Sequence, residues 1–87
     1  MMERSATIVN PLGLHARPAA LLVKLASRFA SEITLAKDGE EVNGKSIMGV
    51  MILAAETGST VVIRAQGPDE EAACEALAQL IENGFNE

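Results

Sequence analysis

Five clusters of turn-forming residues divide this chain of 87 residues into segments that are each long enough for only one helix or strand. These clusters are Asn10–Gly13, Asp38–Gly39, Asn43–Gly44, Thr57–Ser59 and Gly67–Asp69. A chain of this length buries only about 60–65% of the surface that it exposes when unfolded. We therefore expect a single small domain over residues 1–87, with its chemistry on the surface and not in an enclosed pocket.

The hydrophobic pattern between the turns predicts the element order β-α-β-β-α-β-α. Alternating residues predict strands over 6–9, 32–35, 40–43 and 60–66, and helical spacing predicts helices over 16–30, 46–53 and 69–83. Asp38–Gly39 favours a tight hairpin turn, because both residues tolerate positive φ. This order is typical of an α+β domain in which a mainly antiparallel sheet carries helices on one face and exposes the other to solvent.

Composition argues against several classes of function. The chain has seven basic and twelve acidic residues and lacks Trp and Tyr, so it is a poor candidate for nucleic-acid binding, which needs positive charge and aromatic stacking. A single cysteine, Cys74, and a single histidine, His15, exclude an internal disulfide and any metal site built from several Cys or His ligands. A carboxylate-only metal site stays open without a supporting pattern, and we expect no metal and no cofactor.

The sequence also bears on location. No apolar run approaches the roughly 18 residues that a membrane-spanning helix needs. The first residues, Met1–Arg4, lack the apolar core of a signal peptide. We therefore expect a cytoplasmic protein that does not insert into membranes.

His15 lies in the one strongly basic segment of an acidic chain. Residues 10–31 include three basic side chains, those of Arg17, Lys24 and Arg28, and no acidic one. At a helix start, the first backbone N–H groups lack intrahelical acceptors and attract anions, and the planar guanidinium of Arg17 suits a phosphate. The segment thus predicts a site at which His15 could hold a phosphoryl group. The alternative is a structural histidine beside a solvated helix face.

The short helix predicted over 46–53 is apolar nearly all round, and no charged residue occurs between Lys45 and Glu56. A helix packed on a sheet buries only one stripe, which we expect to be Ile47, Val50 and Leu53. Three apolar side chains then face solvent and are predicted to form a docking patch next to His15: Met48, Met51 and Ile52. The alternative is a deeply buried helix. Ser46 is expected to cap this helix, and Cys74 to be a small core residue.

Two motifs resemble those of a known family. Residues 12–19 read Leu-Gly-Leu-His-Ala-Arg-Pro-Ala, which resembles the active-site signature of HPr, the histidine-containing phosphocarriers of the bacterial phosphoenolpyruvate-dependent phosphotransferase system. Residues 45–51 read Lys-Ser-Ile-Met-Gly-Val-Met and resemble the family's second signature, around a regulatory serine. The resemblance runs over essentially the whole chain. Met48 departs from the large aromatic of some members, and the ending Asn83–Phe85 is reminiscent of nitrogen-branch versions.

The resemblance implies an open-faced two-layer β-sandwich, with a four-stranded antiparallel sheet and three helices on one face. It implies that Nδ1 of His15 takes a phosphoryl group from Enzyme I and passes it to an EIIA-type acceptor of the sugar or nitrogen branch. Arg17 and the backbone of Ala16 and Arg17 would hold that group. It also implies phosphorylation of Ser46 by an HPr kinase/phosphorylase, and partner docking through six residues: Ala16, Ala20, Ile47, Met48, Met51 and Ile52.

Other classes of function stay open at this point. The main alternative is a regulatory module of the same fold that only docks on a transcription factor or an enzyme and could dispense with the nucleophile. A metal- or ligand-binding domain of ferredoxin-like topology is disfavoured because the sequence offers no second ligand cluster. An independent enzyme is disfavoured because no general acid–base pair is patterned. We therefore expect a monomeric, stoichiometric phosphoryl carrier and not an enzyme.

Overall fold

A computed structural model describes residues 1–86 and confirms the predicted element order. The elements are β1 (Met2–Thr7), α1 (Ala16–Ala26), β2 (Glu32–Lys37), β3 (Glu40–Asn43), α2 (Ile47–Leu53), β4 (Thr60–Gln66), α3 (Glu70–Glu82) and a final 3₁₀ turn, Gly84–Asn86. The strands form one antiparallel sheet in the order β1-β4-β2-β3. None of the helices in these residues is long and apolar enough to cross a membrane.

The two faces of the sheet differ in polarity, as predicted. Leu35 of β2 lies opposite Ile63 of β4 and opposite Val42 of β3. Leu35 and Ile63 are fully buried in a core completed by the helices. On the other face, Arg64 of β4 binds the carboxylates of Glu3 on β1 and Glu41 on β3. These two hydrogen bonds raise the pKa of the Arg64 guanidinium. Glu3 and Glu41 are exposed, so this face of the sheet is open to solvent.

The first strand lies earlier than predicted: it runs from Met2 to Thr7 and not over residues 6–9. Met2, Arg4 and Ala6 lie on the same, less exposed face of β1. The charged Arg4 hides the alternation of apolar and polar residues in the sequence, and its guanidinium pairs with Glu75 and Glu82. Ile8 is buried but lies just beyond the end of β1. Its N–H donates to Ser59 and its carbonyl accepts from Gly58, so it pairs with the loop before β4.

The first helix ends at Ala26, four residues before the predicted end at Ala30. The backbone tightens there, because the N–H groups of Arg28 and Phe29 donate to carbonyls three residues back. Phe29 still packs against the core, which explains why the apolar spacing continues beyond the helix. The last helix agrees with its prediction to one residue, since Asp69 and Asn83 are its caps. Cys74 is buried as predicted, and this burial raises the pKa of its thiol.

The expected buried stripe of α2 is wrong at Ile47. Val50 and Leu53 are buried, but Ile47 is 46% exposed. Three residues turn a helix by about 300°, so a spacing of three drifts by about 60° at each step. Ile47 and Leu53 therefore lie about 120° apart around the axis, too far for one narrow stripe to bury both ends.

Candidate functional site

His15 is the N-cap residue of α1, at the position predicted from the sequence. Its backbone is extended, with φ −79° and ψ −173°, and its carbonyl accepts the first helical hydrogen bond, from Ala19, at 3.0 Å. The side chain is half-buried. Beyond it, the N–H groups of Ala16 and Arg17 belong to the first turn, where no intrahelical acceptor exists, and Pro18 has no N–H to satisfy. An anion next to the imidazole would meet these two donors and the positive end of the helix.

The backbone on each side of His15 is anchored. Leu14 is buried, and its N–H donates to the carbonyl of Ala55 at 2.9 Å. One turn later, Pro18 and Ala19 are buried under α1. The loop before the site is also closed on itself, because the side-chain amide of Asn10 donates to the carbonyl of Gly13 at 2.7 Å. The His15 side chain is therefore attached to a well-anchored stretch of backbone, which favours a defined direction for its ring.

Arg17 belongs to a row of exposed basic side chains along α1. Arg17, Lys24 and Arg28 are spaced by seven and four residues, so they follow one face of the helix and of the turn that continues it. None of the three makes an ion pair or side-chain hydrogen bond within residues 1–86. Every other basic side chain in those residues makes at least one: Arg4, Lys37, Lys45 and Arg64. We call this row the basic stripe; within residues 1–86, no acidic side chain pairs with it.

An apolar surface lies on α2, which packs against α1. Met48 is 71% exposed, Ile52 63% and Met51 44%, so the prediction that these side chains face solvent is confirmed. With the exposed Ile47 they form what we call the α2 patch. Leu12, in the loop before His15, is a further exposed apolar side chain, with 75% of its surface accessible. The exposure of Leu12 was not predicted, although its position in a turn between Pro11 and Gly13 indicates a residue outside the core.

Ser46 is the N-cap of α2, as predicted. Its backbone is extended, and its hydroxyl oxygen accepts a hydrogen bond from the N–H of Gly49 at 3.1 Å. The ammonium group of Lys45 donates to the carbonyl of Phe29 at 2.7 Å, which joins the start of α2 to the turn after α1. An N-cap of this kind is worth about 1 kcal/mol. Ser46 is half-buried at the end of α2 that also carries Ile47 and Met48 of the α2 patch.

Other chemistry finds little support in the described part of the chain. No group of three or more His, Cys, Asp or Glu side chains within residues 1–86 is arranged to hold a metal ion. The acidic residues at the start of α3 have local partners: Glu70 accepts from the N–H of Gly67 at 3.2 Å and pairs with the amino group of Met1 at 3.1 Å. Both interactions lower the pKa of the Glu70 carboxyl, the hydrogen bond from Gly67 most.

Comparison with known proteins gives consistent matches over the whole chain. Residues 2–83 match the family model described as the PTS HPr component phosphorylation site. The phosphocarrier protein HPr of Cupriavidus necator is 52% identical over 87 residues, which is 100% of this chain and 98% of that protein. The crystal structure of HPr-C-His from Thermoanaerobacter tengcongensis has a TM-score of 0.96 and 52% identity, covering 100% of this chain and 98% of that one.

A second kind of relative is also similar. A crystal structure of the catabolite-repression protein Crh from Bacillus subtilis, described as a dimer with a swapping domain, has a TM-score of 0.78. It is 48% identical and covers 97% of each chain. The predicted open-faced fold is therefore confirmed by solved relatives of two kinds, and both motifs quoted above lie inside the matched region.

Proposed function

Since the chain belongs to the HPr family of phosphocarriers, we propose that it carries a phosphoryl group on Nδ1 of His15. Enzyme I of the phosphotransferase system is the donor, and an EIIA-type protein of the sugar or nitrogen branch is the acceptor. The observation that supports this most is the position of His15 at the N-cap of α1, beside the basic stripe, which makes no ion pair within residues 1–86. The chain acts in the cytoplasm as a stoichiometric monomeric carrier and not as an enzyme.

In the transfer step, Nδ1 of His15 attacks the phosphorus of the phosphorylated donor. The new N–P bond forms as the donor's bond to phosphorus breaks, and the reverse exchange passes the group to the acceptor. The phosphoryl oxygens accept hydrogen bonds from the N–H groups of Ala16 and Arg17 and from the Arg17 guanidinium. Each charge-assisted bond is worth about 1.5–3 kcal/mol and the helix dipole about 0.3–1 kcal/mol. Ala16 and Arg17 are exposed at this helix start, so the partner's surface excludes water during transfer.

Both partners dock on one surface in this proposal. The α2 patch supplies apolar contact, and the exposed Ala16 and Ala20 leave room for a partner close to the phosphoryl group. The long, unbranched side chains of Met48 and Met51 adapt to surfaces of different shape. Because donor and acceptor need the same face, the carrier holds only one partner at a time. That property is what a shuttle between two proteins requires.

Ser46 is the regulatory site of this proposal, phosphorylated by an HPr kinase/phosphorylase. A phosphate adds a charge of about −1.5 to −2 at pH 7, and at a helix N-terminus that charge is favourable. Phosphorylation therefore leaves the fold intact. It places a strongly hydrated negative group at the edge of the α2 patch, where a partner that complements the basic stripe meets like charge.

The test is incubation with phosphoenolpyruvate and Enzyme I, scored for a phosphoprotein that is stable in base and labile in acid. We expect wild type to be labelled and His15→Ala to be unlabelled at unchanged thermal stability. Labelling of His15→Ala would remove His15 as the acceptor. The similarity to Crh favours one rival, a regulatory module of the same fold. In that case the wild-type protein would stay unlabelled, while Ser46 would still accept phosphate from a kinase.

A further inference from the structure

At Gly13, the loop before His15 is in direct contact with the backbone that follows α2. Gly13 has φ +65°, and a Cβ built on it would lie 2.5 Å from the carbonyl oxygen of Ala55 and 3.0 Å from Cα of Glu56. Real Cβ atoms essentially never approach other atoms at under 3.0 Å, so only glycine allows this contact. Two backbone segments thus touch directly, with no side chain between them.

The same Ala55 carbonyl also holds the next residue. The N–H of Leu14 donates to it at 2.9 Å, so the peptide group between Gly13 and Leu14 is bonded to the turn after α2. That turn is itself well held: Ala55 is 2% exposed, the N–H of Ala54 donates to Met51 at 3.1 Å, and the ammonium group of Lys37 reaches the carbonyl of Ala54 at 3.4 Å. The backbone just before the proposed phosphorylation site is therefore supported by a turn that is itself held by several contacts.

This support is continuous with the docking surface. Met51 and Ile52 of the α2 patch lie in the last turn of α2, three to four residues before Ala55. A partner seated on these side chains presses on the same short stretch of backbone that holds Gly13 and Leu14. Through the contacts of Gly13 and Leu14 with Ala55, the surface on which a partner docks is connected to the backbone immediately before His15.

We propose that Gly13 is a positioning residue for phosphoryl transfer, because its close contact with Ala55 sets the direction in which the His15 imidazole faces a docked partner. The inference rests on the proposed function of His15. It differs from that proposal in assigning a role to a residue that touches neither the phosphoryl group nor the partner. A misplacement of about 1 Å at a reacting group costs up to about a hundredfold in rate.

The chain supplies a matched control for a substitution at Gly13. Gly58 has φ +87°, also in the left-handed region, but a Cβ built on it meets nothing within 4 Å. Gly13→Ala and Gly58→Ala therefore both place a Cβ at a positive φ, and only Gly13→Ala disturbs the contact with Ala55. Both variants are expected to lose thermal stability. Only Gly13→Ala is expected to slow phosphorylation by Enzyme I, by about tenfold to a hundredfold in kcat with little change in KM, because the α2 patch is intact.

A second readout does not depend on phosphorylation. The NMR resonances and the χ1 coupling constants of the His15 side chain are expected to change in Gly13→Ala and to stay as in wild type in Gly58→Ala. Equal kcat and unchanged His15 signals in Gly13→Ala would overturn the proposal. If Enzyme I labels no form of the protein, the proposed function fails, and the His15 signals still decide whether Gly13 positions the ring.

A second variant covers the case in which Gly13→Ala does not fold. Ala55→Gly keeps the carbonyl acceptor and loosens the backbone that carries it. Its control is Ala65→Gly, which removes an equally buried methyl group from the far end of β4, where Ala65 pairs with Met2. We expect averaging of the His15 χ1 coupling constants in Ala55→Gly alone. The same coupling constants in both variants would overturn the positioning role.

Discussion

The carboxylate of Asp69 accepts two hydrogen bonds from Ser31, one from the backbone N–H at 2.9 Å and one from the hydroxyl at 2.5 Å. A third comes from the N–H of Ala30 at 2.8 Å. Together they tie the start of α3 to the turn that leads from α1 into β2. A Cβ built on Gly67, two residues before Asp69, would lie 2.7 Å from Ser31. The segment before α3 and the segment before β2 are therefore in direct contact.

This tie predicts a loss of stability in acid. The bond from the Ser31 hydroxyl, and then those from the backbone, lower the pKa of Asp69 below its usual value of 3.8. The folded state therefore favours the carboxylate, and its contribution to stability is present above the unfolded pKa and is lost as the pH falls through the folded one. Asp69→Asn is expected to unfold at lower temperature than wild type at pH 7.

The measurement is thermal unfolding of wild type and Asp69→Asn from pH 7 down to pH 2. The difference in Tm is expected to shrink as the pH falls through 4 and below, because wild type then also loses its negative charge at this position. Asp38→Asn is the control, since Asp38 is exposed and lies in the hairpin turn. A difference in Tm that stayed constant over this range would contradict the linkage.

The left-handed backbone conformation of Ala54 leads us to expect that a substitution there stabilises the protein. Ala54 ends α2 in the left-handed region, with φ 51° and ψ 43°, which disfavours any residue with a Cβ. Ala54→Gly is expected to raise the free energy of unfolding by about 0.5–1 kcal/mol, measured in urea, since relief of this strain outweighs the added entropy of the unfolded chain. Ala76→Gly, inside α3, should lower it by about 1 kcal/mol. Two changes of the same sign would contradict this reading.

Arg17 predicts a loss of transfer without a loss of folding. Its side chain is exposed and makes no ion pair in residues 1–86, so Arg17→Ala should change stability by less than about 0.5 kcal/mol. Removal of its charge-assisted bonds should slow phosphoryl acceptance by roughly tenfold to a hundredfold. Arg17→Lys keeps the charge and loses the planar fork, so an intermediate rate is expected from stopped-flow or quench-flow kinetics. An unchanged rate in Arg17→Ala would remove this residue from the mechanism.

Lys24 and Arg28 are expected to act through association and not through chemistry. They continue the basic stripe away from His15, and neither is paired with an acid in the described residues. Lys24→Ala and Arg28→Ala should lower the association rate with a partner and weaken its dependence on salt, with kcat unchanged. Arg64→Ala is the control for lost charge alone, because Arg64 lies on the open face of the sheet, away from the basic stripe. A fall in kcat with an unchanged salt dependence would contradict the assignment.

The α2 patch predicts a change in KM. Ile52 is 63% exposed, so Ile52→Ser should leave the fold intact and remove apolar area that a partner buries. A loss of about 1–2 kcal/mol of contact raises the KM for the carrier as substrate of Enzyme I roughly fivefold to thirtyfold. Val62→Ser, on the open face of the sheet, is the control and should leave KM unchanged. Equal kinetics of the two variants would show that the partner does not use this patch.

Local patterns were enough to predict most of the fold. The helix start at His15, the cap at Ser46 and the strand over 60–66 follow from residue types within one or two turns, and the structure confirms them. The start of β1 could not be found this way, because Arg4 holds a half-buried position only through its contacts with α3. The prediction that Ile47 is buried was wrong because the helical period is 3.6 residues and not three.

The support behind His15 was beyond sequence reasoning for a different reason. Gly13 is visible as a turn residue, but its partner Ala55 lies far along the chain and has no distinguishing side chain. Contacts between two backbones leave no hydrophobic pattern. By contrast, the basic stripe was visible as an acid-free segment, and the structure was needed only to show that it makes no ion pair within residues 1–86.

Ser46 allows the regulatory part of the proposal to be tested with three substitutions at one position. Asp and Asn both cap helices well, and only Asp adds a negative charge. Ala removes the cap, which here is the bond from the N–H of Gly49 to the Ser46 hydroxyl oxygen. Ser46→Asp and Ser46→Asn should therefore keep the thermal stability of wild type, whereas Ser46→Ala should lose about 1 kcal/mol.

The rates of phosphoryl acceptance from Enzyme I separate charge from capping. Ser46→Asp should accept more slowly, because its carboxylate and hydration shell stand beside Ile47 and Met48 at the edge of the α2 patch. Ser46→Asn should accept at the wild-type rate, and so should Ser46→Ala despite its lower stability. High salt should bring Ser46→Asp closer to Ser46→Asn, since it screens the repulsion between exposed charges. If Ser46→Asp accepted phosphoryl groups as fast as wild type at low salt, Ser46 would be a helix cap and nothing more.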